Sequence, residues 1–552
     1  MIPRISKLDN KACQALISAI IDYKWLDVVK NISYGKFCEL YSQFLSVLVS
    51  SFPKYLPEVV NKLIGEFDQF DNSDYKHHEI LSKIIKYVPT CVNSFPHFLQ
   101  KNFPHHISST TKELSNYITN IMKIINYCLD LQFNIWQLIL ECSIKLDVEL
   151  QNELDDLDDE EIEEVINGED GNDNEEMEIA QDSIRQHDQN LHDEEEDDDE
   201  EDMMGETEYL ETITTSTNIK ILATKLDYII NHLLVTTANS FTMDELNNGN
   251  GVTLFNTITS LFKSHILPTH FTKSIQFIIF HISQYQQELA DSFLVLLIDV
   301  AFSPNENLEK RLKAMQYLSS YIARAKNISR DQVLFVFSYL IGWVNKYIIE
   351  REGEIIDIEN KSLNTKQTGG MERFKLFYAA LQALLYIFCF RHQMLKNLEI
   401  KDANDSEWEC DLDKFFQRVI LTKFNPLKYC DETVVFIFAK LAAKLNVCYC
   451  YSIIEHNKRE RMMQTNGQST LPSSVGNFRQ KQEFLDLEAY FPYDPLVLPI
   501  SKNLVSKSYV EWSEVNPTND DEEDEDSTSH PDDDDDSESD SDDDSSSDEE
   551  AD

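Results

Sequence analysis

Apolar residues recur along this chain at spacings of three and four. Ala15, Leu16, Ala19, Ile20, Tyr23 and Leu26 follow that rhythm, as do Phe37, Leu40, Tyr41, Phe44, Leu45 and Leu48. Each segment therefore lines one helical face with apolar side chains. The period returns near Ile219, with Ile221, Leu222, Leu226, Ile229, Ile230 and Leu233. It continues through 255–262, 275–282, 289–302, 312–325, 333–349, 374–390, 415–421 and 433–451. Period-two alternation long enough for a strand is absent. Proline predicts where helices stop, first at Phe52-Pro53 and then near Pro57, Pro89, Pro96 and Pro104, because the residue before proline avoids helical backbone. Residues 352–370 and 457–482 are polar and contain Gly, Ser and Asn, so both read as loops; 484–512 is the last structured piece. Short paired helices without sustained heptads predict an all-α fold, an α-solenoid of the HEAT-repeat kind. No strict repeat signature is visible.

Charge divides the chain further. Residues 153–211 hold 30 acids and one base, and residues 520–552 hold 21 acids and none. These two tracts account for the whole net charge of −50 in 552 residues. The remaining body is balanced and rich in Leu, Ile, Phe and Tyr, so it folds. A run of ten carboxylates, 193–202, is too dense in like charge to bury. The expected organisation is N-terminal helical repeats at 8–152, a disordered acidic insertion at 153–211, C-terminal helical repeats at 212–515 and a disordered acidic tail at 516–552. A body with no basic excess argues against wrapping duplex DNA. Leu376–Phe390 is interrupted by Gln382, and Phe293–Val300 is far short of the roughly 20 apolar residues that span a bilayer. Both read as buried helices. Met1–Asn10 is mixed polar, and no secretory leader is expected.

Candidate chemistry is sparse. Only 13 glycines occur, and neither the phosphate-loop pattern nor the dinucleotide or nucleophile-elbow glycine patterns appear. No nucleophile is accompanied by a base and an orienting group, so no enzyme, cofactor or metal is expected. Cys448-x-Cys450, with Cys430 and His456 nearby, is the one cluster that resembles a metal site. Its single intervening residue is short for zinc geometry and no second pair follows; buried thiols are the plainer reading. His77-His78 and His105-His106 are expected in loops or on helix surfaces, since adjacent side chains on a helix diverge. The basic groups at Lys310–Lys313, Arg324–Arg330 and Lys458–Arg461 read as solvated faces, the last also as a nuclear-import signal in a loop. Ser50, Ser51, Thr90, Ser94, Ser108 and Ser109 fall at predicted helix ends, where capping explains some of them.

Several ordered stretches resemble one family. Arg311–Arg330 (RLKAMQYLSSYIARAKNISR) is similar to the "YLASFIARAK" helix of the RNA polymerase I-specific transcription initiation factor family. Phe374–His392 (FKLFYAALQALLYIFCFRH) resembles its "LYIFCFRH" segment, and Ala489–Lys502 (AYFPYDPLVLPISK) its "FPFDPLLL" motif. Phe424–Lys440 and Asp147–Leu157 also fit, and the resemblance spans about residues 8–515. It implies a HEAT-repeat superhelix that binds RNA polymerase I on its stalk side and bridges it to the core factor at ribosomal RNA promoters. It also implies action in the nucleus and nucleolus, self-association when free, and a phosphorylated serine patch that blocks polymerase binding. The corresponding segments here are Leu48–Pro53 and Val88–Ser94, which makes Ser50, Ser51, Thr90 and Ser94 the candidate polymerase-binding and phosphoregulatory residues. Where the family has Ser-Ser, this chain has Thr90-Cys91, so the patch is smaller or moved to Ser94. The alternatives from composition alone are a helical nuclear transport receptor and an acidic histone chaperone.

Overall fold

The structure is a computed structural model. It describes Ile5, Leu8 and residues 10–26, 35–70, 76–155, 157–167, 204–270, 272–361, 371–398, 407–466, 487 and 490–516. The acidic run 193–202 and the acidic tail beyond 516 lie outside the described residues. Contacts divide the chain into Met1–Val510 and Glu511–Asp552. Among the described residues no strand forms, and two isolated bridges are present.

Six helices follow α1 (Lys11–Ile21) as hairpins: α2 (Gly35–Ser51) with α3 (Leu56–Gly65), α4 (Lys76–Tyr87) with α5 (Phe95–Lys101), and α6 (Thr111–Ile125) with α7 (Gln132–Leu154). Helix reaches into the acidic tract from both sides, as α8 (Asp159–Asn167) and the start of α9 (Met204–Thr237). Beyond α9 come α10 (Met243–Asn247), α11 (Asn250–Leu261), α12 (Phe277–Ile282), α13 (Gln287–Phe302), α14 (Leu308–Arg324), α15 (Arg330–Lys361) and α16 (Lys375–Arg391). They are followed by α17 (Leu412–Val419), α18 (Pro426–Tyr429), α19 (Glu432–Lys444), α20 (Tyr451–Asn466) and α21 (Pro499–Val505). The second unit contains α22 (Trp512–Val515).

Packing runs from neighbour to neighbour. α2 lies on α4, α3 on α5, α5 on α7, α7 on α9, α13 on α14, and α14 on α16. This serial contact pattern is that of a solenoid, so the all-α expectation holds. α16 is its most enclosed element: every residue from Leu376 to Arg391 is buried, as expected of a helix that is apolar all round. α15 contains a segment, Arg330–Gly353, long and apolar enough to cross a membrane. Its burial is one-sided, with Val333, Val336, Phe337, Leu340 and Val344 buried and Phe335, Tyr339 and Ile349 exposed.

Several predicted boundaries move. Pro57 and Pro96 open α3 and α5 rather than ending helices, because the first turn has no partner for the missing N–H. The predicted helix at 433–451 is broken after Lys444, where Asn446 adopts φ 55°. Both predicted loops begin as helix: α15 runs on to Lys361 and α20 to Asn466. Lys458 and Arg459 are therefore exposed on a helix, with Arg459 pairing to Glu455 at 3.1 Å.

Buried polar side chains tie distant segments together. Asp147 on α7 is fully buried and accepts the backbone N–H groups of Ser274 and Ile275, each at 2.9 Å. Burial pushes its carboxyl up to about 6, against the pull of those donors. Lys225 on α9 donates to the carbonyls of His106 (3.1 Å) and Ile107 (2.7 Å). The motifs that carry the family resemblance also meet here. Arg391 donates from Nε to the Ile322 carbonyl (2.8 Å) and from Nη2 to that of Ala325, satisfying the end of α14. Arg324 lies over the rings of Phe390 (4.5 Å) and Tyr509 (5.3 Å), and Val510 N–H donates to its carbonyl. Lys313, Arg324 and Arg330 are thus bonded into the fold, and the solvated-face reading fails for them.

Candidate protein-docking rim

One turn is built three times in the N-terminal hairpins. As α2, α4 and α6 end, a single residue leaves helical backbone: Phe52 (φ −137°, ψ 84°), Val88 (−131°, 72°) and Cys128 (−148°, 83°). Each of these donates its N–H four residues back, Phe52 to Leu48, Val88 to Ile84 and Cys128 to Ile124. Each then accepts from the residue three positions on, Tyr55, Cys91 or Leu131, which turns its side chain into the core. A short 3₁₀ segment leads into the next helix in all three cases: Pro53–Tyr55, Pro89–Ser94 and Leu129–Leu131. The pivots lie 36 and 40 residues apart. That is the repeat missing from the sequence pattern, because equivalent positions share backbone rather than side chain.

Each turn lies within a hairpin, and because α3 packs on α5 and α5 on α7 the turns follow one another along one rim, which carries the candidate residues. Ser50 and Ser51 are the last residues of α2, Thr90 is the second residue of the second 3₁₀ segment, and Ser94 ends that segment. All four are exposed. Ser94 precedes α5 without a side-chain capping bond, so capping does not account for it. Nor do Ser108 and Ser109 cap α6; that role falls to Thr110, whose hydroxyl accepts from Glu113 N–H while Glu113 returns the bond.

Sequence reasoning missed the apolar part of this rim. Tyr87 is 56% exposed, immediately before its pivot, and Leu129 is 62% exposed where the other two turns carry proline. Phe133 is also exposed, one residue into α7. Lys54 lies over the Phe52 and Tyr55 rings at 5.7 and 5.1 Å. The signal was positional: an aromatic or Leu in a turn whose neighbours hold Ser, Pro and Lys. Hydroxyls, exposed apolar side chains and a lysine on a ridge suit a protein partner.

Other candidate residues divide. His77 and His78 are buried, against expectation. His77 Nε2 meets Glu66 at 2.8 Å, and the same carboxylate accepts from Trp25 Nε1 at 2.9 Å. His78 meets Tyr127 OH (3.0 Å) and Asn120 Oδ1 (3.2 Å). Adjacent side chains do diverge, but partners cover α4 on both flanks, so both rings go inward. His105 stays exposed in a loop, its ring 4.5 Å from that of His106. Cys448 and Cys450 come together at 3.5 Å, whereas Cys430 turns to the Tyr378 carbonyl and His456 is exposed. Among the described residues no three His, Cys, Asp or Glu converge in a metal-binding arrangement.

Comparison with known proteins agrees along the length of the chain. The family profile of the RNA polymerase I specific transcription initiation factor RRN3 matches residues 1–517. The chain is 41% identical to the RNA polymerase I-specific transcription initiation factor RRN3 of Saccharomyces cerevisiae, over 93% of this chain and 82% of that protein. It is 30% identical to the rrn3 factor of Schizosaccharomyces pombe, over 94% of this chain and 79% of that protein. The crystal structure of RNA polymerase I transcription initiation factor Rrn3 superposes with a TM-score of 0.72 at 39% identity, covering 93% of this chain and 88% of that one.

Proposed function

The chain belongs to the RNA polymerase I-specific transcription initiation factor family, and we propose that it works as such a factor in the nucleus and nucleolus. It binds RNA polymerase I on the enzyme's stalk side through the rim of Ser50, Ser51, Tyr87, Thr90, Ser94 and Leu129. It then bridges the enzyme to promoter-bound core factor at ribosomal RNA genes. The observation that carries this reading is the family match from residue 1 to 517, which takes in the rim and the C-terminal motifs alike. Its balanced, serially stacked body has the large surface needed to hold two protein partners at once. It is expected to need no cofactor, to perform no catalysis and to make no sequence-specific DNA contact of its own. Phosphate on a rim hydroxyl brings nearly two negative charges, and regulation by phosphorylation follows from its placement in the contact. The free form is proposed to self-associate.

The test is affinity purification of the full chain from cell extract with subunit identification. Near-stoichiometric polymerase I subunits are expected. Recovery of a Ran-type GTPase or of histones instead would favour a transport receptor or a histone chaperone.

A further inference from the structure

The segment between α19 and α20 carries a dithiol that the initiation function does not use. Asn446 turns the chain in left-handed backbone, Val447 N–H returns to the Ala442 carbonyl at 2.9 Å, and Gln417 Nε2 donates to the Val447 carbonyl at 2.9 Å. Residues 448–450 then run without helical structure into α20. In an extended run, alternate side chains share a face. Cys448 and Cys450 accordingly sit side by side, sulfur to sulfur at 3.5 Å, while Tyr449 between them is 68% exposed. Cys450 is fully buried and Cys448 is 7% exposed. The Cys450 carbonyl also accepts from Ile453 and Ile454 N–H, at 3.0 and 3.1 Å, which puts this residue at the cap of α20.

We propose that Cys448 and Cys450 form a redox modification site, a dithiol that a hydroperoxide closes to a disulfide. One sulfur, as thiolate, attacks a peroxide oxygen; the O–O bond breaks and the leaving hydroxide takes up a proton as water. The second sulfur, already adjacent, attacks the resulting sulfenic sulfur, the S–S bond forms and a second water leaves. The two thiols lose two electrons, which the peroxide gains. The S–H···S contact helps the first step, since the Cys448 thiol holds the Cys450 thiol below its ordinary pKa and the thiolate is the attacking form. A ring closed over one intervening residue is small, and a strained disulfide is readily reduced, so the bond is reversible. Closure draws sulfurs together at the cap of α20, the helix that carries the Asn457–Asn425 and Glu460–Lys428 contacts.

The experiment treats the full chain with dilute hydrogen peroxide, quenches with catalase and alkylates under denaturing conditions before tryptic digestion. The peptide Leu445–Lys458 holds both cysteines and no other. The expected product is this peptide unalkylated, lighter by two hydrogens than its reduced form and restored by dithiothreitol. At the same dose the exposed Cys410 should still alkylate. Cys448→Ser and Cys450→Ser should each abolish closure. The proposal is overturned if the wild-type peptide stays doubly alkylated at doses that oxidise Cys410, or passes to sulfinic acid without closing. Mapping of the wild-type chain decides this even where a serine variant fails to fold.

Discussion

Asp227 on α9 caps the start of α21 through Ser501, which lies 274 residues later in the chain. Its carboxylate accepts the backbone N–H of Ser501 at 2.7 Å and of Ile500 at 2.8 Å, and it also takes the Ser501 hydroxyl. The entry to α21 reads Leu498-Pro499-Ile500-Ser501, and Leu498 has no side-chain acceptor for the first free N–H groups. A buried helix start without a cap leaves orphan donors, and Asp227 supplies the acceptor from another element. The segment that resembles the family's FPFDPLLL motif therefore holds a C-terminal strap against the solenoid.

Replacing Asp227 by Ala should destabilise the protein strongly. A buried group left without a partner costs about 1–3 kcal/mol. The buried Ser501 N–H and the half-buried Ile500 N–H lose theirs, while the Ser501 hydroxyl keeps the Asp227 backbone carbonyl at 3.2 Å. A clear fall in melting temperature by circular dichroism is expected. Asp227→Asn keeps one acceptor and should lose less. An Asp227→Ala protein that melts with the wild type would remove the cap from the list of stabilising contacts.

The Arg391 and Arg324 pair makes a second stability prediction. Arg391→Lys keeps the charge but cannot span the Ile322 and Ala325 carbonyls, because an ammonium lacks the planar fork. Arg324→Lys gives up the stack between Phe390 and Tyr509, where a desolvated contact of this kind contributes about 2 kcal/mol. Both variants should lower the denaturant midpoint while leaving the slope unchanged. Equal midpoints for wild type and variants would show that charge alone suffices.

Stability should also fall on mild acidification, and His78 gives the sign. Burial lowers its pKa from 6.5 to about 4, and Lys123 and His77 nearby disfavour the charged ring further. A folded pKa below the unfolded value means that the unfolded chain takes up the proton first. The neutral ring's contribution is complete above pH 6.5 and is lost as pH falls toward 4. The span corresponds to roughly 3 kcal/mol at about 1.4 kcal/mol per unit. Melting temperature should drop between pH 7 and pH 5, and His78→Gln, which cannot titrate, should show a shallower drop. Parallel pH profiles would assign the effect to other groups.

Periodicity made the helices legible wherever one face is apolar, as at Leu40, Tyr41, Phe44 and Leu48. It could not place their ends, since Pro57 inside an α-helix's first turn and Pro53 opening a 3₁₀ turn look alike in sequence. The repeat stayed hidden because Phe52, Val88 and Cys128 share dihedral angles and nothing in side-chain chemistry. His77 and His78 were misread because a solenoid helix is covered on two flanks, whereas the adjacency rule assumes one. Within the candidate rim the hydroxyls could be found through resemblance. Tyr87 and Leu129 could not, because exposure of an apolar residue depends on neighbours that only the stacked turns supply.

The rim can be separated from the fold by comparing two energies at the same residues. Ser50 and Ser51 close α2, and an Asp there meets the negative end of the helix at a cost of about 0.3–1 kcal/mol. Both side chains are exposed, so the double variant Ser50→Asp, Ser51→Asp should fold and melt only slightly below wild type. Inside a protein contact, uncompensated like charge costs several kcal/mol. At about 1.4 kcal/mol per tenfold, binding to purified polymerase I should fall by two to three orders of magnitude. Ser50→Ala with Ser51→Ala removes only hydroxyls and should bind normally. Leu129→Ala and Tyr87→Ala take exposed apolar surface from the same rim and should each weaken binding about tenfold, the scale of a contact anchor, without shifting the melt. Thr90→Asp should have a smaller effect than the double variant, since Cys91 beside it is buried and offers no second site. Full polymerase binding by the folded double-aspartate variant would place the docking surface elsewhere on the solenoid.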